Sequence, residues 1–280
     1  PNDLSQDMGV LGQYECPQML AAYDRILAAA KNVGKQAGIH FGKKEYIVSS
    51  RAKGYQMNMC GNDVSFLMTG AKAEGEFMTI EKIIAISRGI SSSHILKVAD
   101  ALRRGGVHFM EVTYNPSNEE ASKDTLKSIE VLKKEFGEEM HIGAGTVLTV
   151  EQVEDAREAG AEYIISPNVD EIVIRKTKEL GLLSIPGAMT PTEAQNAWKW
   201  GADYVKIFPA DNLGADYIKA MLSSMNHLKL VATGGIDEGN MLEFLDSGCV
   251  GLGIGGSLLN RKLAEAGDYQ VIFERAEKMV

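Results

Sequence analysis

Two charged residues sit in runs whose pattern leaves little room for charge. Lys206 lies inside Tyr204-Val-Lys-Ile-Phe-Pro-Ala210, and Glu111 inside His108-Phe-Met-Glu-Val-Thr113. Both runs read as strands buried on both faces, where Lys and Glu are rare unless paired or functional. Burial lowers an amine's pKa and raises a carboxylate's, because desolvation disfavours the charged form of each. A neutral amine adds to carbonyls and a nearby carboxylate can carry protons, so the pair suits Schiff-base chemistry. A structural ion pair bridging the core is the alternative reading of these two residues.

Glycine pairs supply a second signal. Thr233-Gly-Gly-Ile236 and Gly253-Ile-Gly-Gly-Ser257 each follow a β-rich run. Glycine lets backbone N–H groups approach an oxyanion closely, and in a barrel the ends of the last two strands commonly hold phosphate. Gly234, Gly235, Gly255, Gly256 and Ser257 are therefore candidate phosphate contacts. Arg88, which can grip a carboxylate with two parallel hydrogen bonds, and Thr146, on the glycine-lightened Gly143-Ala-Gly-Thr146, are candidate anion anchors. Thr113, Asn115, Pro167 and Pro186 complete the set of strand-end residues. The five histidines are isolated, with no zinc spacing, and read as surface or packing residues. Neither a metal nor a cofactor is implied.

Positioning these residues requires a repeating scaffold. From about residue 80 onward, a short β-rich run, a turn and an amphipathic helix recur. The runs at 83–87, 108–113, 141–147, 163–167, 182–187, 204–210, 229–234 and 251–256 alternate with helical patterns such as 92–104, 119–136, 150–159 and 191–200. Thr149 and Thr190 stand at helix starts, and Gly105, Gly137, Gly160, Gly181, Gly201 and Gly248 close helices. Eight such units predict an α/β fold of the (β/α)8 TIM-barrel type, with the strand-end residues on one face. A doubly wound sheet would need a glycine-rich dinucleotide turn after its first strand, and Ser87-Arg-Gly-Ile90 is not one. In a barrel the second and sixth strands are opposed, so Glu111 and Lys206 are expected to face one cavity.

Composition agrees with a globular protein. Of 280 residues 45% are hydrophobic, and the net charge of −9 with no basic block argues against nucleic acid or an anionic membrane surface as partner. Three scattered cysteines read as free thiols of a reducing cytoplasm, and no apolar run approaches a membrane span.

Six motifs in order carry a family resemblance: Glu111-Val-Thr, Gly143-Ala-Gly-Thr-Val147, Ser166-Pro-Asn168, Pro186-Gly187, Val205-Lys-Ile-Phe-Pro-Ala210 and Thr233-Gly-Gly-Ile236. Residues 79–280 resemble the 2-keto-3-deoxy-6-phosphogluconate aldolase family. The resemblance implies a metal-independent class I aldolase, with Lys206 forming the Schiff base and Glu111 shuttling protons. It also implies a phosphorylated keto sugar acid as substrate, Entner–Doudoroff-type carbohydrate metabolism and a homotrimer. The family's frequent Arg is replaced by Asn115, similar to the phosphogalactonate-type branch, which leaves Arg88 for the carboxylate. Two alternatives stand beside this reading: a 4-hydroxy-2-oxoglutarate aldolase, and a sugar-phosphate binder without catalysis.

Residues 1–78 differ. A helix at 17–33, a strand-like Gln36-Ala-Gly-Ile-His-Phe41 and Gly54-Tyr-Gln-Met-Asn-Met59 before Gly61-Asn-Asp63 suggest a partial α/β barrel fragment. Pro1-Asn-Asp-Leu-Ser5, Met8-Gly9, Gly12-Gln13, Gly34-Lys35 and Ala37-Gly-Ile39 resemble the C-terminal part of the HpcH/HpaI-type 2-keto-acid aldolases. That resemblance makes Asp3 a relic metal ligand at most, and the segment a non-catalytic remnant of a longer or fused gene. Such a piece leaves sheet edges open, so partial order or packing on the barrel is expected.

Overall fold

The computed structural model describes residues 2–41, 44–60 and 81–280. The chain divides into two compact units, Pro1–Met78 and Thr79–Val280. In the first, helices α1 (Asn2–Asp7), α2 (Pro17–Asn32) and α3 (Lys44–Lys53) accompany two parallel strands, β1 (Gly38–Phe41) and β2 (Met57–Cys60). Met19, Tyr23 and Leu27 recur at helical spacing along α2 and pack with Ala37 and Tyr55 as a small core. Asp3 is exposed on α1, and the Gly61-Asn-Asp63 segment lies outside the described residues.

In the second unit nine parallel strand segments form one sheet: β3 (Ile83–Ser87), β4 (Phe109–Thr113), β5 (His141–Gly145), β6 (Tyr163–Ile165), β7 (Leu183–Ile185), β8 (Gly187–Ala188), β9 (Val205–Ile207), β10 (Leu230–Thr233) and β11 (Gly251–Ile254). The order runs β7-β6-β5-β4-β3-β11-β10-β9-β8. The two ends of that order are one stretch of chain, because only Pro186 separates β7 from β8. Pro186 has no N–H to give the ladder, yet its carbonyl accepts from Lys206 N–H at 2.9 Å, and Ala188 O accepts from Phe208 N–H at 3.1 Å. The ring is thereby joined, and the eight-stranded barrel expected from the sequence is the one observed. β4 and β9 stand four places apart around it, on opposite sides.

Alternation along each strand divides the core into two layers. Ile83, Ala85, Met110, Val112, Val205, Ile207, Leu230 and Ala232 pack outward among the helices. Ile84, Phe109, Tyr163, Ile165, Ile185, Tyr204 and Val231 point inward as an apolar plug. A pleated strand repeats every two residues, so Glu111 shares the inward face with Phe109, and Lys206 with Tyr204. Both charges therefore rise one pleat above the plug.

Helix starts follow the sequence signals. Thr149 and Thr190 each form a capping box, with Gln152 and Glu193 respectively, and a cap of this kind contributes about 1 kcal/mol. Five strands end earlier than their β-rich runs, and in three the cause is local. The third stops at Gly145 because Thr146 turns into the left-handed region at φ 58°. The fourth stops at Ile165, before Pro167, and the sixth stops at Ile207, before Pro209 and a short helix from Ala210. Among the described residues no helix is long and apolar enough to cross a membrane.

Candidate active site

Glu111 is 1% exposed and Lys206 6%. Glu111 has room only because its neighbour on β5 is glycine: a methyl at Gly145 would overlap the carboxylate. No ion pair within 4.0 Å joins Glu111 to Lys206, and neither carboxylate oxygen has a hydrogen-bond partner among the described residues. Removing a buried charge from water without such partners is costly, and the protonation equilibria respond. Burial pushes Glu111 upward, against the opposing pull of Lys206 and Arg88. Burial pushes Lys206 downward, with Glu111 opposing the shift and Arg88 adding to it. A lysine driven toward its neutral form beside a carboxyl driven toward its protonated form is the pairing that imine formation and proton transfer need.

Lys206 opens into a cavity of about 320 Å³, lined also by Arg88, Phe208, Thr233, Asp237 and the two glycine loops. Its Nζ lies 4.9 Å from the centre of the Phe208 ring, which is 39% exposed. The loops are tied together: Ser257 Oγ donates to Ile236 O at 2.7 Å, and Arg275 donates to Ser257 O at 3.0 Å. The N–H groups of Gly235, Gly256 and Ser257 donate no hydrogen bond among the described residues. Gly234 and Gly235 hold φ of 97° and 71°, and side chains at the two positions would meet Phe208 and Asp211. Free N–H groups on close, side-chain-free backbone make an anion cradle. Gly253 serves the same end at the floor, where a methyl would overlap the Thr233 hydroxyl.

The residues expected from the sequence fall into three groups. Arg88, Lys206, Gly234, Gly235, Gly255, Gly256 and Ser257 line the one cavity, and Glu111 is buried outside its lining. Thr113 and Asn115 line an adjoining cavity of about 490 Å³, and only Arg88 borders both. The Thr113 hydroxyl donates to Ser87 O at 3.3 Å, and Asn115 Oδ1 accepts from Ser117 N–H at 3.1 Å, which ties the hydroxyl and the amide oxygen to the local backbone. The Arg88 guanidinium has no hydrogen-bond or ion-pair partner among the described residues. Thr146, Pro167 and Pro186 line neither cavity. Pro167 and Pro186 cap adjacent strands, where Gly187 packs so closely that a methyl would stand 2.5 Å from Pro167 O.

Sequence reasoning passed over Phe208, Asp237, Gly145 and Tyr163. Phe208 was available from alternation, being two residues beyond Lys206. The other three depend on neighbours across the barrel.

The comparisons agree with this geometry. The family model for aldolases described as KDPG and KHG aldolase matches residues 75–275. A 2-dehydro-3-deoxy-6-phosphogalactonate aldolase of Escherichia coli K12 is 34% identical over 184 residues, covering 65% of this chain and 87% of the relative. The KHG/KDPG aldolase of the same organism is 35% identical over 189 residues, covering 67% and 85%. Among solved structures, one described as native KDPGal superposes with a TM-score of 0.65 at 32% identity, covering 72% of this chain and 94% of that one. The KDPG aldolase of Legionella pneumophila, with pyruvate captured as a covalent carbinolamine, gives 0.63 at 28% identity, covering 70% and 92%.

Proposed function

This chain belongs to the KDPG and KHG aldolase family and is a carbon–carbon lyase; from that premise we propose that it cleaves a 2-keto-3-deoxy-6-phospho sugar acid to pyruvate and glyceraldehyde 3-phosphate through a Schiff base on Lys206. The observation that carries the proposal is the pair of buried charges, Lys206 and Glu111, unpaired with each other on opposite sides of one lumen. Neutral Lys206 adds to the C2 ketone, and loss of water with uptake of one proton from solvent, returned at the final hydrolysis, gives the protonated imine. Glu111 takes the proton of the C4 hydroxyl. The C3–C4 bond then breaks, its electrons pass to the imine nitrogen as an enamine, and C4 leaves as the aldehyde. Glu111 returns its proton to C3, and hydrolysis frees pyruvate and Lys206. The imine is the electron sink, so these steps ask for nothing beyond the chain's own residues and solvent water.

Arg88, with no partner of its own, takes the substrate carboxylate. Gly235, Gly256 and Ser257 take the phosphate through their N–H groups, with Gly234 and Gly255 shaping the loops. Thr146, Pro167 and Pro186 shape the lumen wall around the keto acid, and Thr113 and Asn115 form the rim beside Arg88. Asn115 favours the galactonate series, and turnover of the two C4 epimers in parallel tests that preference. A second reading, 4-hydroxy-2-oxoglutarate as substrate, draws on the cradle's use of neutral N–H groups, which also fit a carboxylate. Dependence of turnover on the phosphate separates the two. We further assign a homotrimer, a cytoplasmic location and no catalytic role for residues 1–78.

The deciding experiment is intact mass and peptide mapping after incubation with pyruvate and sodium borohydride. A reduced pyruvyl adduct on Lys206 is expected. A folded protein without adduct refutes the Schiff-base assignment.

A further inference from the structure

Beneath the catalytic pair lies a polar group that the mechanism above does not use. Tyr163 is 1% exposed, and its hydroxyl has no protein hydrogen-bond partner, which is also true of both Glu111 oxygens. A buried polar atom left without a partner keeps the full cost of losing its water, so three on neighbouring side chains require a physical reason.

Backbone register brings them together. Glu111 on β4, Gly143 on β5 and Tyr163 on β6 are aligned across three adjacent strands. The Tyr163 ring, including the carbon that bears its hydroxyl, fills the space a side chain at Gly143 would occupy. The phenol thus reaches over β5 toward the strand that carries Glu111. There its ring packs on Phe109, centroid to centroid at 5.8 Å. The Glu111 carboxylate in turn fills the space above Gly145, the next inward position along β5. Two inward positions on a strand are about 6.6 Å apart and one water joins oxygens up to about 5.6 Å apart, so a lean of about 1 Å in all between the phenol and the carboxylate lets a single water bridge them. A buried water needs at least two polar partners, and this gap offers two.

We propose that the Tyr163 hydroxyl positions the Glu111 carboxylate from below through one bridging water, which makes Tyr163 a positioning residue for the proton transfers. Burial first, and then the charges of Glu111 and Glu162, push the phenol well above its ordinary range, so it remains an O–H donor at any working pH. A donor aimed at the ionised carboxylate favours that form and fixes which oxygen faces the substrate. The other charged groups around Glu111 are Lys206 on β9 and Arg88 after β3. Along β5 the inward neighbours are glycines, and His141 at its start is paired with Glu162 at 2.7 Å. Thr113, the other inward hydroxyl on β4, is spent on Ser87 O at 3.3 Å, so among the described residues Tyr163 supplies the uncommitted donor on β4 to β6.

This inference rests on Glu111 as the proton carrier, and the test separates the two. Exchange of pyruvate methyl protons in D2O reports proton transfer at C3, while borohydride trapping reports imine formation alone. Tyr163→Phe is expected to trap pyruvate on Lys206 as the parent does, and to slow methyl exchange about tenfold, the kinetic equivalent of one hydrogen bond to a charged group. The pH midpoint of exchange should rise, because the carboxylate has lost a donor. Adding Tyr163→Phe to Glu111→Gln should have no further effect, since both act through one group. Parental exchange in Tyr163→Phe, or an equal slowing in the Glu111→Gln background, overturns the inference while leaving Glu111 its role. Parental exchange in Glu111→Gln overturns the role of Glu111 itself and this inference with it. Should Tyr163→Phe fail to fold, a crystal structure of the parent decides: a water between the Tyr163 hydroxyl and Glu111 is expected, and a dry contact refutes the proposal.

Discussion

Gly145→Ala is the sharpest perturbation of the site, because it touches neither the nucleophile nor the cavity wall. A methyl at 145 would stand 2.5 Å from Glu111 Cγ and would overlap the carboxyl group itself. Carbon atoms pack at about 3.5–4.0 Å, so Glu111 must retreat by about 1 Å or more. The apolar plug below blocks retreat in that direction, and the movement must go toward the lumen. Displacing a catalytic group by 1 Å costs about 10²-fold in rate, and complete loss of a general acid–base about 10²–10⁴-fold. We expect kcat for pyruvate release to fall about 10²-fold, with stability reduced by the roughly 1–3 kcal/mol typical of overpacking. Imine trapping at Lys206 should survive, since Lys206 stands on the far side of the barrel. The assay is continuous pyruvate release coupled to NADH oxidation, with trapping and thermal unfolding on the same preparation. Turnover within threefold of the parent would refute the placement of Glu111 against β5. Loss of trapping together with turnover would show that the damage is global.

Four further outcomes are expected. Lys206→Arg should abolish the borohydride adduct as fully as Lys206→Ala, because a guanidinium does not form the imine; mass spectrometry of the treated protein reads this directly. Arg88→Ala should leave stability within about 0.5 kcal/mol, since Arg88 has no partner to lose, yet raise KM about tenfold through a missing charge-assisted contact; an unchanged KM removes Arg88 from the carboxylate. Glu111→Gln should move the pH midpoint of imine trapping downward, because the Glu111 charge is what opposes the burial-driven fall of the Lys206 pKa; a midpoint that rises reverses the electrostatic argument. The double variant Glu111→Leu, Lys206→Met should unfold at higher temperature than the parent, as replacing buried ionisable groups by apolar side chains of similar volume often gains about 1–4 kcal/mol. The parent's side of that comparison has a defined sign: with the folded Lys206 pKa below its unfolded value, the unfolded chain binds more protons between the two. The Lys206 contribution to stability therefore rises with pH across that window and is most unfavourable below it. The gain in the double variant should accordingly shrink as pH approaches the ordinary lysine range.

The sequence by itself determined the scaffold and singled out the two buried charges, Glu111 and Lys206. Ile83–Ser87, Phe109–Thr113 and Val205–Ile207 are buried along their whole length, so a charge at 111 or 206 stood out in the sequence, while the shared lumen followed from the opposed places of the second and sixth strands in a barrel. The threonine caps and the glycine pairs announced helix starts and the anion cradle through local chemistry, which is why they were legible. Tertiary structure alone decided the rest. That the Thr113 hydroxyl and Asn115 Oδ1 are spent on neighbouring backbone, while the Arg88 guanidinium has no partner among the described residues, depends on which loops lie alongside. Gly143 and Gly145 resemble any glycine-lightened strand until β4 and β6 are set beside β5; only then does one slot receive a carboxylate and the other a phenol. Strand pairing is a contact between residues distant along the chain, and no local pattern encodes which side chain will fill a neighbour's missing Cβ.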